Sequence, residues 1–294
     1  MMSAPDRRVL FDNGQTVIRH APAGTRSSGT LVVTFTGMFE NDPSQPGCAE
    51  ILLHRQGHDL ICVQKRSESW FQDLDVEDFR QAVAPLLGRY DDVACYGLSM
   101  GAFAALYYGG AIDAAILAVS PLVSIHPRFP QMGLRELRKA VTIRHVDLRE
   151  VPKSRKPCLI LYDPQDEPDE LYMTHEVIPA FPEARILRLR YTAHPCAQAL
   201  HEMGVYRSLM FGFLEDRTMP GARALLRPHR GRSGRYLQRL ARGCAKRGHR
   251  AWALALYDRA LAVTQRPDTI LPERDALAAE MGLPAWRPAQ PVAA

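Results

Sequence analysis

The 294-residue sequence predicts an α/β protein: a mainly parallel eight-stranded sheet with helices on both faces, followed by a small α-helical appendage. Three observations predict it. Short apolar, β-branched runs alternate with segments of helical spacing over residues 8 to 216. One strand-like run breaks at Gly97-Leu98-Ser99-Met100-Gly101 and resumes at once as a small-residue helix pattern. The charge then changes sign: from Met219 onward stand 14 of the 37 Lys and Arg but 5 of the 32 Asp and Glu, +9 within a net +5, leaving −4 before it. The remaining composition, 46% apolar and 23% charged, is that of a globular protein able to bury a large core.

The elements follow in order. Arg8–Phe11 and Gln15–His20, joined through Asp12-Asn13-Gly14, form a hairpin, because Asn-Gly accepts the positive φ angles of a tight turn. Thr30–Thr36 is a near-continuous apolar run, the pattern of a strand covered on both faces. Cys48–Gln56 is a helix stopped by Gly57, and Asp59–Gln64 is another buried strand. Val76, Phe79, Val83, Leu86 and Leu87 fall at helical spacing and cover one sheet face. Next come a strand to Tyr96, a helix from Met100, a strand from Ala114 to Ser120, and an irregular, partly helical stretch from Leu122 to Pro157. The strand Cys158–Tyr162, a helix, and the strand Ala184–Tyr191 complete the sheet. From Met100 to Val123 the only charge is Asp113, and about 20 apolar residues can span a bilayer. Gly109-Gly110, Asp113 and Pro121 divide this run into a helix and a strand, so no membrane span is expected.

The opening MMSAPDRRVLFDNG lacks the apolar stretch of about 7 to 15 residues that a secretory signal carries. Of six cysteines, Cys62, Cys95 and Cys158 lie inside strand-like runs, which reads as buried free thiols. The expectation is a reducing, cytoplasmic compartment.

The chemistry centres on Ser99. A serine on a strand-to-helix turn has strained backbone angles that lift its hydroxyl above the sheet, and glycines two residues either side remove β-carbons that would collide there. A serine hydroxyl needs a base to take its proton and a third group to hold that base. Downstream, the strand ending at Tyr162 opens into Asp163-Pro164-Gln165-Asp166-Glu167-Pro168-Asp169, with four carboxylates. The strand ending at Tyr191 opens into Thr192-Ala193-His194-Pro195, where Pro195 suits the first turn of a helix.

On this elbow and the order serine, acid, histidine, about residues 8 to 216 resemble the α/β-hydrolase superfamily. The resemblance implies hydrolysis of a carboxylic ester or thioester of a small or acylated molecule through an acyl-enzyme, with no separate cofactor. It implies Ser99 as nucleophile and His194 as general base and later acid. The family pattern places the acid three residues past the first loop position, which is Asp163, and so points to Asp166; Asp163 is the alternative, and the other carboxylates read as a solvated rim. The oxyanion donors implied are the backbone N–H groups of Met100 and Met38, although Thr36-Gly37 stands where the family more often has His-Gly. Trp70 and Phe71 either edge a substrate pocket or pack under a loop. His126, Arg128, Phe129 and Met132 occupy the family's usual lid position, in a connection short enough to imply a small cap and an open site. His54 and His58 are four apart, but Gly57 interrupts the helix between them and no metal site is expected.

The chain divides into a hydrolase-like domain at 1–217, a linker at 218–234, a basic helical region at 235–283 and a disordered tail at 284–294. In the basic region Leu237, Leu240, Ala241, Cys244, Gly248, Ala253, Tyr257 and Ala260 are similar in spacing to one tetratricopeptide repeat. A lone repeat cannot bury its own faces, so it is expected to dock on the hydrolase domain or on a protein partner. Arg235, Arg239, Arg242, Arg250 and Arg259 are mixed with an apolar face and lack interleaved aromatics, the pattern of a solvated face and not of a nucleic-acid surface. A second reading is therefore a hydrolase-like scaffold that recruits a partner through these helices.

Overall fold

The computed structural model describes residues 7–25, 28–128, 134–145 and 147–286. Strands β1 (Arg8–Asp12) and β2 (Thr16–Ala21) form the antiparallel hairpin, and β3 (Thr30–Phe35) follows. Then come α1 (Glu50–His54), β4 (Leu60–Lys65), α2 (Val76–Leu87), β5 (Asp92–Leu98), α3 (Met100–Tyr108), β6 (Ala115–Val119), α4 (Arg135–Ala140) and β7 (Cys158–Tyr162). Helix α5 (Glu167–Tyr172) continues through a π-helical segment, Met173–Val177, into the short α6 (Ile178–Ala180) before β8 (Arg185–Arg188). Helices α7 (Ala197–Glu202), α8 (Tyr206–Asp216) and α9 (Ala222–Leu226) lead to the terminal α10 (Gly234–Lys246), α11 (Arg250–Val263) and α12 (Leu271–Glu280).

The eight strands form one sheet in the order β1-β2-β4-β3-β5-β6-β7-β8. The sheet is mixed: β1 and β2 run antiparallel to their neighbours, and β3 through β8 are mutually parallel. The parallel strands read as unbroken apolar runs because both their faces are covered. Ile116 and Ala118 enter a core shared with Phe79, Phe103 and Tyr108 of α2 and α3. Their neighbours Ala115, Leu117 and Val119 enter the opposite core, with Leu53 of α1, Leu200 of α7, Met210 of α8 and Leu237 of α10.

Leu98, Val119, Leu161 and Leu187 are successive cross-strand partners from β5 to β8, so the turns that follow them leave the sheet along one edge. Sequence positions 99, 163 and 194 are brought to that edge by register alone. The last strand is shorter than the 184–191 expected, because the chain turns at Tyr191 and Ala193, with φ of 69° and 63°.

The segment expected to be a linker contains α9, whose Leu225 is buried, and a 3-10 turn at Arg230–Arg232. Leu237, Ala241, Ala253, Tyr257 and Ala260 share one apolar cluster with the α7 and α8 face, so the terminal helices lie against the sheet domain. Pro284 and Trp286, assigned to the tail, contact Arg274 and Asp275, while 287–294 lie outside the described residues. All six cysteines are free thiols, and no helix among the described residues is long and apolar enough to cross a membrane.

Candidate active site

Ser99 sits between β5 and α3 with φ 52° and ψ −115°, a conformation costing about 1–3 kcal/mol that the flanking elements must hold. Sterics explain both glycines: a β-carbon at Gly97 would lie 2.2 Å from the Gly101 backbone, and one at Gly101 would lie 2.4 Å from the Phe35 carbonyl oxygen. The first turn of α3 therefore packs directly against the end of β3. The turn is tied to β6, since Ser99 N–H donates to the Val119 carbonyl (2.9 Å).

Ser99 Oγ lies 2.8 Å from His194 Nε2, and His194 Nδ1 lies 2.7 Å from Asp169 Oδ1. The serine and histidine expected to act together are thus in hydrogen-bond contact. Asp166, the expected third member, is not on the imidazole. It is the residue before α5, and its Oδ2 accepts a hydrogen bond from Arg239 of α10 (2.9 Å). Asp163, the alternative, accepts from the Gln165 N–H through Oδ1 (2.9 Å) and from the Ala193 N–H through Oδ2 (2.8 Å), bracing the histidine loop from beneath. The correction to Asp169 has a simple cause: the chain becomes helical at Glu167, so the carboxylate is delivered from the first turn of α5 instead of from the loop. The signal present in the sequence was Pro168, which favours a first helical turn and shortens the loop.

Asp169 is fully buried, and among the described residues its Oδ2 has no hydrogen-bond partner. Burial pushes its carboxyl up while the hydrogen bond from His194 draws it down, and the net direction is up. Burial alone would draw the His194 imidazole down, but the hydrogen bond and charge of Asp169 outweigh it, and the imidazole ends above its ordinary value of 6.5.

Gly37 N–H donates to Glu40 Oε2 (2.7 Å) and Phe39 N–H to Glu68 Oε1 (2.6 Å), which leaves Met38 between two occupied donors. Among the described residues, neither Met38 N–H nor Met100 N–H donates to a protein acceptor. The Met38 loop rests on a polar cluster that sequence reasoning missed: fully buried Lys65 contacts Asn41, Glu68 Oε1 (3.2 Å) and the Glu40 carbonyl, and Asn41 Nδ2 also donates to Glu68 Oε1 (2.7 Å). A lysine ending an apolar strand was the signal available.

Trp70 and Phe71 are fully buried, and Phe71 packs edge-on to Phe35 at 5.8 Å, so they pack under a loop and do not edge a pocket. His126 is buried with Glu176 and Tyr172, and Arg128 pairs with Glu176; Phe129 and Met132 lie outside the described residues. His54 and His58 point to different backbone carbonyls, Ala21 and Thr30, and no three potential metal ligands converge among the described residues. Beside the elbow, an apolar cavity of about 420 Å³ is lined by Leu52, Tyr96, Leu98, Ala197, Tyr206 and Met210.

The strand order, with a strained serine between β5 and α3 and an acid and histidine beyond β7 and β8, defines an α/β-hydrolase fold. No family profile and no curated protein matches the chain. Among solved structures it is similar to an esterase of Pyrococcus furiosus, at 11% identity over 76% of this chain and 90% of that one, with a TM-score of 0.46. It is also similar to the capsule O-acetyltransferase of Neisseria meningitidis serogroup A, at 9% identity over 69% and 93% with a TM-score of 0.48, and to Est1E of Butyrivibrio proteoclasticus, at 14% over 69% and 97% with a TM-score of 0.42. These likenesses are too distant to carry an activity across; the functional reading rests on the site.

Proposed function

We propose that the protein is a serine hydrolase acting on a carboxylic ester or thioester. The single observation that carries this is the hydrogen-bonded chain Ser99 Oγ, His194 Nε2, His194 Nδ1, Asp169 Oδ1, with both distances below 3 Å. His194 takes the hydroxyl proton as Ser99 attacks the acyl carbon, and Asp169 holds the ring and stabilises the imidazolium that forms. The N–H groups of Met100 and Met38 receive the tetrahedral oxyanion; one such donor is typically worth about 3 kcal/mol of transition-state stabilisation. The imidazolium then returns its proton to the departing alcohol or thiol, and water, activated by the same imidazole, releases the acyl group from Ser99. An apolar arm of the substrate fits the cavity beside Leu98. The free thiols suit a reducing, cytoplasm-like compartment.

The test is labelling of the folded protein by a fluorophosphonate probe. Wild type should react at Ser99 and Ser99→Ala should not. A folded wild type that stays unlabelled, or equal labelling of the variant, overturns the assignment.

A further inference from the structure

Docking of α10 against α7 creates a cleft of about 590 Å³, lined in part by Arg232, Arg235, Gln238, Arg239, Arg242 and Arg266. Arg239 is tied to Asp166 and Arg242 to Glu273. Among the described residues, Arg232, Arg235 and Arg266 have no carboxylate within ion-pair distance, and Arg235 is half-buried. Glu202 also lines the cleft, but its Oε2 already accepts from the Ser233 hydroxyl (2.6 Å) and the Arg235 N–H (3.1 Å). The result is a concave surface on which three guanidinium groups stand outside any ion pair and Glu202 is the single lining carboxylate.

We propose that this cleft binds the phosphorylated end of the substrate whose acyl group reacts at Ser99, an inference that rests on the hydrolase reading above. Guanidinium forks match phosphoryl oxygens in pairs, and three of them call for more than one negative charge. Burial draws Arg235 below its ordinary range; Glu202 opposes this, and Arg239, Arg266 and Arg242 add to it, so an incoming dianion relieves a repulsion already present. None of the lining residues is Phe, Tyr or Trp, so the cleft lacks the stacking platform that single-stranded nucleic acid uses. The link to the serine is α7. Ala197 and Gln198 line the apolar cavity beside Leu98, and His201 lines both that cavity and the arginine cleft. Four residues of helix rise separate Ala197 from His201, about 6 Å. His201 is thus a wall common to the cavity next to Leu98 and to the arginine cleft, and the proposed substrate arm follows that wall.

The test uses the full-length protein and inorganic pyrophosphate, followed by titration calorimetry. Wild type should bind, the Arg235→Gln/Arg266→Gln double variant should bind at least about tenfold more weakly, and Arg80→Gln on the remote α2 should match wild type. Arg266→Gln alone, at an exposed position, guards against misfolding of the double variant. In parallel, kcat/KM for a p-nitrophenyl ester bearing a terminal phosphate, divided by that for a neutral ester of equal length, should fall about tenfold in the double variant. No pyrophosphate binding by wild type, equal binding by the double variant, or an unchanged ratio overturns the proposal. So does tighter binding of a short single-stranded oligonucleotide that the double variant loses. Calorimetry needs no turnover: pyrophosphate binding without fluorophosphonate labelling discards the hydrolase reading and the substrate assignment together, while labelling without pyrophosphate binding discards only the cleft.

Discussion

Asp169 and Asp166 are three residues apart and share a helix start, yet they have opposite partners. Asp169 is buried against an imidazole, whereas Asp166 meets a partly exposed guanidinium from the terminal helices. Asp169→Asn should lower kcat about 10,000-fold, the loss that follows when a triad imidazole is left in the wrong tautomer. Asp166→Asn removes a partly exposed ion pair worth on the order of 1 kcal/mol or less, and should leave the rate within about tenfold of wild type. Steady-state kinetics on an activated ester checks both. The pH dependence follows from His194, which must be neutral to accept the serine proton. Its raised pKa means that kcat/KM should climb with pH through an inflection above the ordinary 6.5 and fall off below it. In Asp169→Asn the residual activity should show that inflection moved downward, since the upward pull is gone and burial remains. An inflection that stays in place would show that Asp169 does not set it.

At the scale of elements, the loop after β3 is held by a group buried beneath it. Glu68 accepts from Phe39 N–H, Asn41 and Lys65, and the last is fully buried at the end of β4. Removing the carboxylate leaves a buried ammonium without its counter-charge, a loss of about 3–5 kcal/mol. Glu68→Ala should therefore lower the unfolding free energy by that amount, and, on the oxyanion role proposed for the Met38 N–H, it should reduce kcat more than it raises KM. An unfolding free energy within about 0.5 kcal/mol of wild type would mean that water replaces the carboxylate at no cost. The β7-to-α5 connection carries the same lesson. Helix α5 begins at Glu167, so the carboxylate that meets His194 comes from its first turn, three residues past Asp166.

At the scale of the molecule, the terminal helices complete the apolar layer over one sheet face. Leu237 and Ala241 are buried in the cluster that contains Leu189, Cys196 and Leu200, so removing them uncovers the strand and helix that flank His194. Truncation after Asp216 should give an insoluble or strongly destabilised chain, read as loss of soluble expression or a large fall in Tm. Leu237→Ala in the full chain should cost about 2–5 kcal/mol, the usual range for a truncated core leucine. A soluble truncated chain with an unaltered Tm would show that the appendage adds nothing to the sheet domain.

The order of strands and helices, the hairpin, the elbow and its two glycines were all legible from apolar period and turn chemistry, because each depends on a few neighbouring residues. Ser99 and His194 were legible for the same reason: each stands just past an apolar strand, and parallel register does the rest. The choice among four carboxylates in seven residues was not, because it turns on whether residue 169 lies in a loop or a helix and which way that helix points. Nor was the Lys65 cluster, the fate of Trp70 and Phe71, or the arginine cleft, all of which join segments far apart in the chain. Local chemistry set Ser99 and His194 just past their strands; only the packing of α5, the β3 loop and α10 around them decided which carboxylate meets the imidazole, what braces the Met38 loop, and where a second, cationic surface opens.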